Sequence, residues 1–238
     1  MGFWDAIRRL LAGLPEARMR GWDASYFSFN TGEGRCPVCN GNGYLKVEMS
    51  FLPDVQVRCE TCNGRRFTKE TDHVRFHGFS ASDLLQLSVD EAIPVFSAHA
   101  SIVRALKLMR DVGLGYLTLG QHSPTLSGGE AQRMKLVSEL SRRADSAGTL
   151  FVLDEPTIGL HAADVVHLIR VLHRLVDNGG TVIVIEHHPA IIAEADWVID
   201  LGPEGGEDGG RIVFQGTPEE LAQQAESHTG RYVLPLLR

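Results

Sequence analysis

The sequence predicts an α/β fold in which helices flank a parallel sheet and a small cysteine module precedes it. Two short runs rich in aliphatic and β-branched residues, 149–153 and 181–186, bracket a stretch with helical spacing, 162–176. Strand, helix and strand in that order make a parallel pair joined by a right-handed crossover. Neither run approaches the roughly 20 apolar residues that cross a bilayer. The chain has 238 residues, 43% hydrophobic and 22% charged. That is the balance of a folded globular protein, and it argues against disorder, collagen and coiled coil.

Taken in order, residues 1–34 read as an N-terminal helix and a polar link. Phe3, Ile7, Leu10, Leu11 and Leu14 fall on one helical face, and Asn30, Gly32 and Gly34 mark the link. Arg8 and Arg9 interrupt the apolar stretch, so it does not resemble a secretory signal, and a cytoplasmic location without membrane contact is expected. Residues 35–67 form the module punctuated by Cys and Gly, and residues 68–238 form the α/β body. In that body Ser82 is the expected N-cap of a helix carrying Leu84, Leu85 and Leu87, and Ile102, Leu106, Met109 and Val112 keep a helical period. Segments 196–201 and 211–215 read as further strands, with the Gly-rich 202–210 as their turn. Thr217 and Pro218 open a last helix as N-cap and N1.

All four cysteines sit within 36–62, as Cys36-x2-Cys39 and Cys59-x2-Cys62. Two such knuckles bring four thiolates to tetrahedral reach of one Zn²⁺. Four buried free cysteines would not explain two CxxC pairs, and a redox CxxC usually comes once, at the start of a helix. With every ligand a protein sulfur, no position remains for water, so the metal is expected to be structural. The formal charge of the chain is −7, yet residues 35–69 carry six basic and three acidic side chains, a local +3 on a body of −10. Such a module can bind phosphate backbone through residues such as Arg65 and Arg66. A merely solvated basic loop accounts for the same residues.

A second constellation handles phosphate. In Leu126-Ser127-Gly128-Gly129-Glu130-Ala131-Gln132-Arg133, a Ser and two glycines head a helix whose amides point outward, the arrangement that binds anions. A Gly-rich turn before a helix is the plainer reading of that string alone. In Leu150-Phe151-Val152-Leu153-Asp154-Glu155, four apolar residues end in paired carboxylates. A buried strand there would deliver Asp154 to hold Mg²⁺ and Glu155 to polarise water, at the sheet edge where ligands collect. The second strand ends in Glu186-His187, where a His can reach a γ-phosphate, although a plain loop histidine fits as well. His188 and the other histidines have no comparable case.

LSGGEAQR, LDEP and the EH strand end resemble the signature, Walker B and switch-histidine elements of ABC-type ATPases. More narrowly, the chain resembles the C-terminal part of the UvrA family of damage-recognition ATPases. The strings that carry this are FSFNTGEGRCPVCNGNGYLKVEMSFLPDVQVRCETCNGRRF, LGQHSPTLSGGEAQRMKL, LFVLDEPTIGLH, VIVIEHH and ADWVIDLGPEGGEDGGRIV. The resemblance implies a partial ABC-type ATPase domain with an inserted four-cysteine zinc module, with ATP, Mg²⁺ and Zn²⁺ as its ligands. It places Asp154 at Mg²⁺, Glu155 as catalytic carboxylate and His187 at the γ-phosphate. Ser127, Gly128 and Gly129 would reach nucleotide held by an opposing ATPase half, and the turn at 158–161 would be the D-loop crossing that junction. Double-stranded damaged DNA, a UvrB-like subunit and a second copy are the partners it implies.

The sequence contains no GxxxxGK[ST], and Gly-Lys never occurs. That loop supplies the backbone cradle and the Lys that grip the β- and γ-phosphates. Either the chain is a fragment or split-gene product of a UvrA-like protein, or it is a stand-alone helper that completes a site on a P-loop-bearing partner. A sheet lacking strands would leave an exposed edge, which favours the fragment. Two other functions compete: a non-enzymatic zinc-containing binding module, and a UvrA-like paralogue serving drug self-resistance. Cys36-x2-Cys39-x-Gly41-x-Gly43 also matches the repeat of DnaJ-type chaperone zinc domains, but those carry four repeats and no ATPase strings.

Overall fold

The computed structural model describes residues 2–47, 55–122, 125–142, 148–202, 210–225 and 227–237. The architecture is mixed α/β and divides into two compact units, residues 1–110 with 114–125, and residues 111–113 with 126–238. Among the described residues no helix is long and apolar enough to cross a membrane.

The first unit opens with α1 (Phe3–Ala12), whose Ile7 and Leu11 are fully buried. Leu14 does not extend that face. The helix ends at Gly13, and Leu14 takes the extended N-cap conformation ahead of Pro15, which starts α2 (Pro15–Met19). A proline at N1 has no amide to lose, so a new helix begins there instead of the old one continuing. The cysteine module is a β-hairpin, β1 (Tyr44–Val47) antiparallel to β2 (Val55–Arg58), with Tyr44 opposite Arg58. Its two ends are tied together by the Arg35–Phe67 bridge and by bonds from Cys36 N–H to the Arg66 carbonyl and from Thr68 N–H to the Gly34 carbonyl.

A short ladder, β3 (Arg75–Phe76) with β4 (Phe79–Ser80), then leads into α3 (Ala81–Gln86). The N-cap of α3 is Ser80 and not Ser82. Ser80 Oγ accepts from Asp83 N–H while the Asp83 carboxylate accepts from Ser80 N–H, a reciprocal box that the Ser-x-x-Asp spacing provides, and Ser82 is buried inside the helix. Ser88 and Glu91 repeat the device at α4 (Val89–Val95). Leu84, Leu85, Phe96, Ile102, Leu106 and Met109, the last three from α5 (Ala100–Asp111), form the apolar centre of this unit.

The second unit holds the predicted strand–helix–strand. β5 (Leu150–Asp154) pairs in parallel with β6 (Thr181–Ile185), Leu153 opposite Val184 and Asp154 opposite Ile185. α7 (Ala162–Asp177) joins them and buries Val165, Leu168, Val171, Leu172 and Leu175 at helical spacing. α6 (Gly128–Arg142) precedes β5. β5 differs from the buried strand expected of it. Leu153 is 6% exposed, but Leu150 and Val152 are 58% and 59% exposed, and Ile183 and Ile185 of β6 also face outward. Among the described residues this sheet has two strands and a cover on one face, so alternate side chains stay in solvent. After α8 (Pro189–Ala193), β7 (Val198–Gly202) and β8 (Arg211–Gly216) form an antiparallel pair; residues 203–209 of the expected turn lie outside the described residues. Thr217 caps α9 (Pro218–Ala222) with Pro218 at N1, and α10 (His228–Val233) follows.

Gly41 shows how tightly the module is built. Its φ is +80°, and an added Cβ would lie 1.8 Å from the Phe29 carbonyl oxygen. Gly41→Ala should therefore cost more than about 2 kcal/mol and release metal, read by urea unfolding together with zinc content. Gly128→Ala, where a Cβ meets nothing within 4 Å, should leave the unfolding midpoint unchanged or slightly raised.

Candidate functional site

In the first unit each cysteine pair is followed by the same turn. Asn40 and Gly41 after Cys39, and Asn63 and Gly64 after Cys62, all have positive φ. The chain curls back in each turn so that amides face sulfur, as Gly43 N–H faces Cys39 Sγ at 3.2 Å. Cys36 and Cys59 Sγ stand 4.0 Å apart and Cys39 and Cys62 Sγ 3.6 Å apart; all four lie within 4.8 Å of one another and are buried. Zn–S bonds of about 2.3 Å in a tetrahedron require sulfurs about 3.8 Å apart, whereas a disulfide needs about 2.05 Å. The donor set fits zinc. The amides of Cys62 and Thr61 hold the Cys59 thiol down to about 7, against the opposing effect of burial, while burial pushes Cys62 up to about 12. Sulfurs this close ionise together only around a cation.

The two arginines beside the second knuckle are engaged within the unit. Arg65 pairs with Asp72 at 3.0 Å and Asp83 at 2.8 Å. Arg66 is 6% exposed, donates to the Gly120 carbonyl at 2.6 Å and lies over the Phe29 ring. Burial lowers the Arg66 pKa, and Tyr44, Cys39 and Cys62 oppose that shift. Tyr44, Arg58, Arg66 and His122 line a cleft of about 420 Å³.

In the second unit Ser127 heads α6. Its Oγ accepts from Glu130 N–H, and the Glu130 carboxylate accepts from Ser127 N–H. The hydroxyl hydrogen of Ser127 is not needed for that cap, and a Cβ on Gly128 would meet nothing within 4 Å. Asp154 is the last residue of β5. Its backbone N–H and C=O point away from β6 and pair with the Gln132 amide, Oε1 accepting at 2.9 Å and Nε2 donating at 3.0 Å. Glu155 adds one more rung, its N–H donating to the Ile185 carbonyl at 2.8 Å, and then turns with φ +44°. A glutamate in the left-handed region stores on the order of 1–3 kcal/mol, held only by its surroundings. His187, one residue beyond Glu186 at the end of β6, brings Nδ1 to 3.7 Å from Glu155 Oε1. Asp154, Glu155 and His187 thus meet at the C-terminal edge of the parallel pair.

Sequence reasoning gave no role to Gln132, Arg133 or Glu186. Arg133 is 2% exposed and donates to the Pro156 and Ile158 carbonyls at 3.2 and 3.0 Å. Glu186 accepts from Thr157 and from the His187 and His188 amides. Burial would raise its pKa, but these bonds outweigh burial and hold it below the usual carboxylate range. Its contribution to stability is therefore complete above that range and is lost as pH falls through the lowered value. His161 and His188 serve as N-caps, each ring accepting from an amide two residues on. A polar residue at the end of an apolar strand was the one visible signal for Glu186.

No protein-family model matches the chain. The chain is 53% identical over 236 residues to the UvrABC system protein A of Haemophilus influenzae, and 54% identical over 235 residues to that of Aquifex aeolicus. Each match takes in 99% of this chain and 25% of the relative, so the chain spans about a quarter of the length of these relatives. The crystal structure of UvrA2 from Deinococcus radiodurans superimposes with a TM-score of 0.87 at 52% identity, covering 100% of this chain and 29% of that one. In sequence and in fold the chain is similar to the C-terminal portion of UvrA.

Stripping metal with a chelator should release one zinc per chain and loosen the cysteine hairpin, because binding and folding are coupled there. Cys39→Ser should lower the retained zinc well below one equivalent, measured by a colorimetric zinc assay on the denatured protein. A zinc-free wild type prepared without chelators would overturn the assignment.

Proposed function

We propose that this chain, similar to the C-terminal portion of UvrA, supplies half of a composite ATPase that works in nucleotide excision repair and is completed by a P-loop-bearing portion. The observation that carries this reading is the meeting of Asp154, Glu155 and His187 at one sheet edge, in the same unit as the Ser127-Gly128-Gly129 helix start. Mg²⁺ bound with ATP would supply charge neutralisation at the phosphates. Asp154, exposed at the end of β5, would hold it. Glu155 would accept the proton of the attacking water, and His187 would hydrogen-bond the γ-phosphate and orient that water. Ser127 retains a hydroxyl proton to donate, and the glycines admit a phosphate closely. These three would act on nucleotide held by the opposing half.

We propose DNA, a UvrB-like subunit and a second copy as partners, and the cytoplasm as location. Arg65 is held by carboxylates and Arg66 is buried. Arg58 is exposed and neutralised by no carboxylate partner among the described residues, its Nε and Nη2 donating only to the Asn63 carbonyl. The cleft beside Arg58, Tyr44 and His122 is therefore the face of the cysteine module we assign to DNA phosphate. The sequence carries no P-loop motif, and this favours a second reading, a zinc-containing module that binds DNA or a partner without turnover. The exposed apolar side chains of β5 and β6 support the first reading, since a further layer of the P-loop portion would cover them.

Mixing the chain with a P-loop-bearing portion should give ATP turnover that neither shows alone, and Glu155→Gln should abolish it while leaving nucleotide binding intact. Ser127→Ala should slow hydrolysis more than it weakens DNA binding. Nucleotide binding and turnover absent from the mixture, with zinc retained, would establish the binding module instead. Arg58→Ala should lower the slope of log affinity for DNA against log salt by about one phosphate contact, read by fluorescence anisotropy. An unchanged slope would remove DNA from that cleft.

A further inference from the structure

The Glu186 side chain is 2% exposed, and apart from the His187 ring at 3.9 Å its partners are neutral hydrogen-bond donors. Oε1 accepts from Thr157 N–H at 2.9 Å and from the Thr157 hydroxyl. Oε2 accepts from His187 N–H at 2.8 Å and from His188 N–H at 3.0 Å. A carboxylate offers about four lone-pair positions, and all are taken. Nothing is left over for a metal ion or a proton, so this glutamate is neither ligand nor base. Four donors favour its ionised form: a protonated oxygen or an amide nitrogen at Oε2 would set a donor against two amide donors, and at Oε1 against the Thr157 amide.

The donors come from two places. Thr157, 8% exposed, lies two residues beyond Glu155 in the turn after β5. His187 and His188 follow β6. Arg133 meanwhile holds the carbonyls of Pro156 and Ile158, on either side of Thr157. The turn that forces Glu155 to φ +44° is thus gripped through its carbonyls by one side chain and through its amide and hydroxyl by another.

We infer that Glu186 is a positioning residue, a buried carboxylate clamp that ties the turn 155–158 to the strand end bearing His187 and keeps Glu155 and His187 face to face. The clamp deepens the hydrolytic reading and rests on it for its kinetic consequence. It also means that a shift of the turn after Glu155 must move His187, since one carboxylate binds both.

Glu186→Gln keeps the size of the side chain and removes one acceptor oxygen. The remaining oxygen serves the His187 and His188 amides, so amide hydrogen exchange on the whole chain should show protection at Thr157 falling on the order of tenfold or more, with zinc content and the exchange of the first unit unchanged. In the mixture with a P-loop-bearing portion, kcat should fall on the order of ten- to a hundredfold. KM for ATP should stay within about twofold, the pattern of lost positioning and not of lost binding. Thr157→Ser keeps both donors and should retain turnover. Thr157→Val removes only the hydroxyl, and gives an intermediate loss if Glu186→Gln fails to fold. Unchanged protection at Thr157, or lost protection with unchanged kcat, overturns the inference. A wild-type mixture without turnover overturns the hydrolytic reading instead, and the exchange result alone then decides the clamp.

Discussion

The register of β5 against β6 is the constraint on which the second unit depends. Asp154 stands opposite Ile185, so both strands run out of ladder at the same level, and Glu155 N–H closes the last rung on the Ile185 carbonyl. A shift of one residue would send Leu153 to the open face and would part Glu155 from His187. The register is held from three sides. α7 buries Leu168, Val171 and Leu175, the Gln132 amide satisfies the outer edge of Asp154 as a neighbouring strand would, and Glu186 joins the two strand ends. Backbone groups at a strand edge cost free energy when left unpaired, and here side chains from two helical and loop elements meet that need.

The first unit is organised by charge in place of pairing. Four sulfurs held this close suit a dication such as zinc, and four thiolates around one would leave net negative charge in the interior. Arg66, buried with Cys39 and Cys62 among the groups that favour its charged form, would answer that excess, while its Nη2 fixes Gly120 of the segment after α5. Arg65 performs a parallel task by joining the module to Asp72 and Asp83, the latter already part of the box at the start of α3. Basic residues that look like a nucleic-acid patch in one dimension are thus partly structural. The module is basic by count and less basic by reach.

Spacing made the cysteine ligands legible, because CxxC turns have few other uses, and period made α7 and its two strands legible. The same spacing rules failed where a choice lay between near-equal residues. Ser80 and Ser82 are both good caps, and only Asp83 three residues after Ser80 decides between them. Leu14 fits the face of α1 by period, but Pro15 ends the argument locally. β5 reads as buried because its residues are nearly all apolar, whereas burial depends on what covers each face, which no window of residues contains. Glu186 was invisible for the same reason, since its partners lie 29 residues away in Thr157 and beside it in two backbone amides.

Glu155 and Glu186 are the same residue type, each at the end of a strand of one parallel pair, and their surroundings give them opposite fates. The Glu155 side chain is 45% exposed, and among the described residues its carboxylate accepts no hydrogen bond, meeting only the His187 ring at 3.7 Å. The Glu186 side chain is 2% exposed and every lone pair is filled. A carboxylate with free lone pairs beside water can take up a proton; one saturated by four donors can only hold its shape. On the hydrolytic reading proposed above, chemistry therefore falls to the first and geometry to the second. The strain at Glu155 persists because Glu186 and Arg133 fix the residues after it, so the open carboxylate owes its pose to the saturated one.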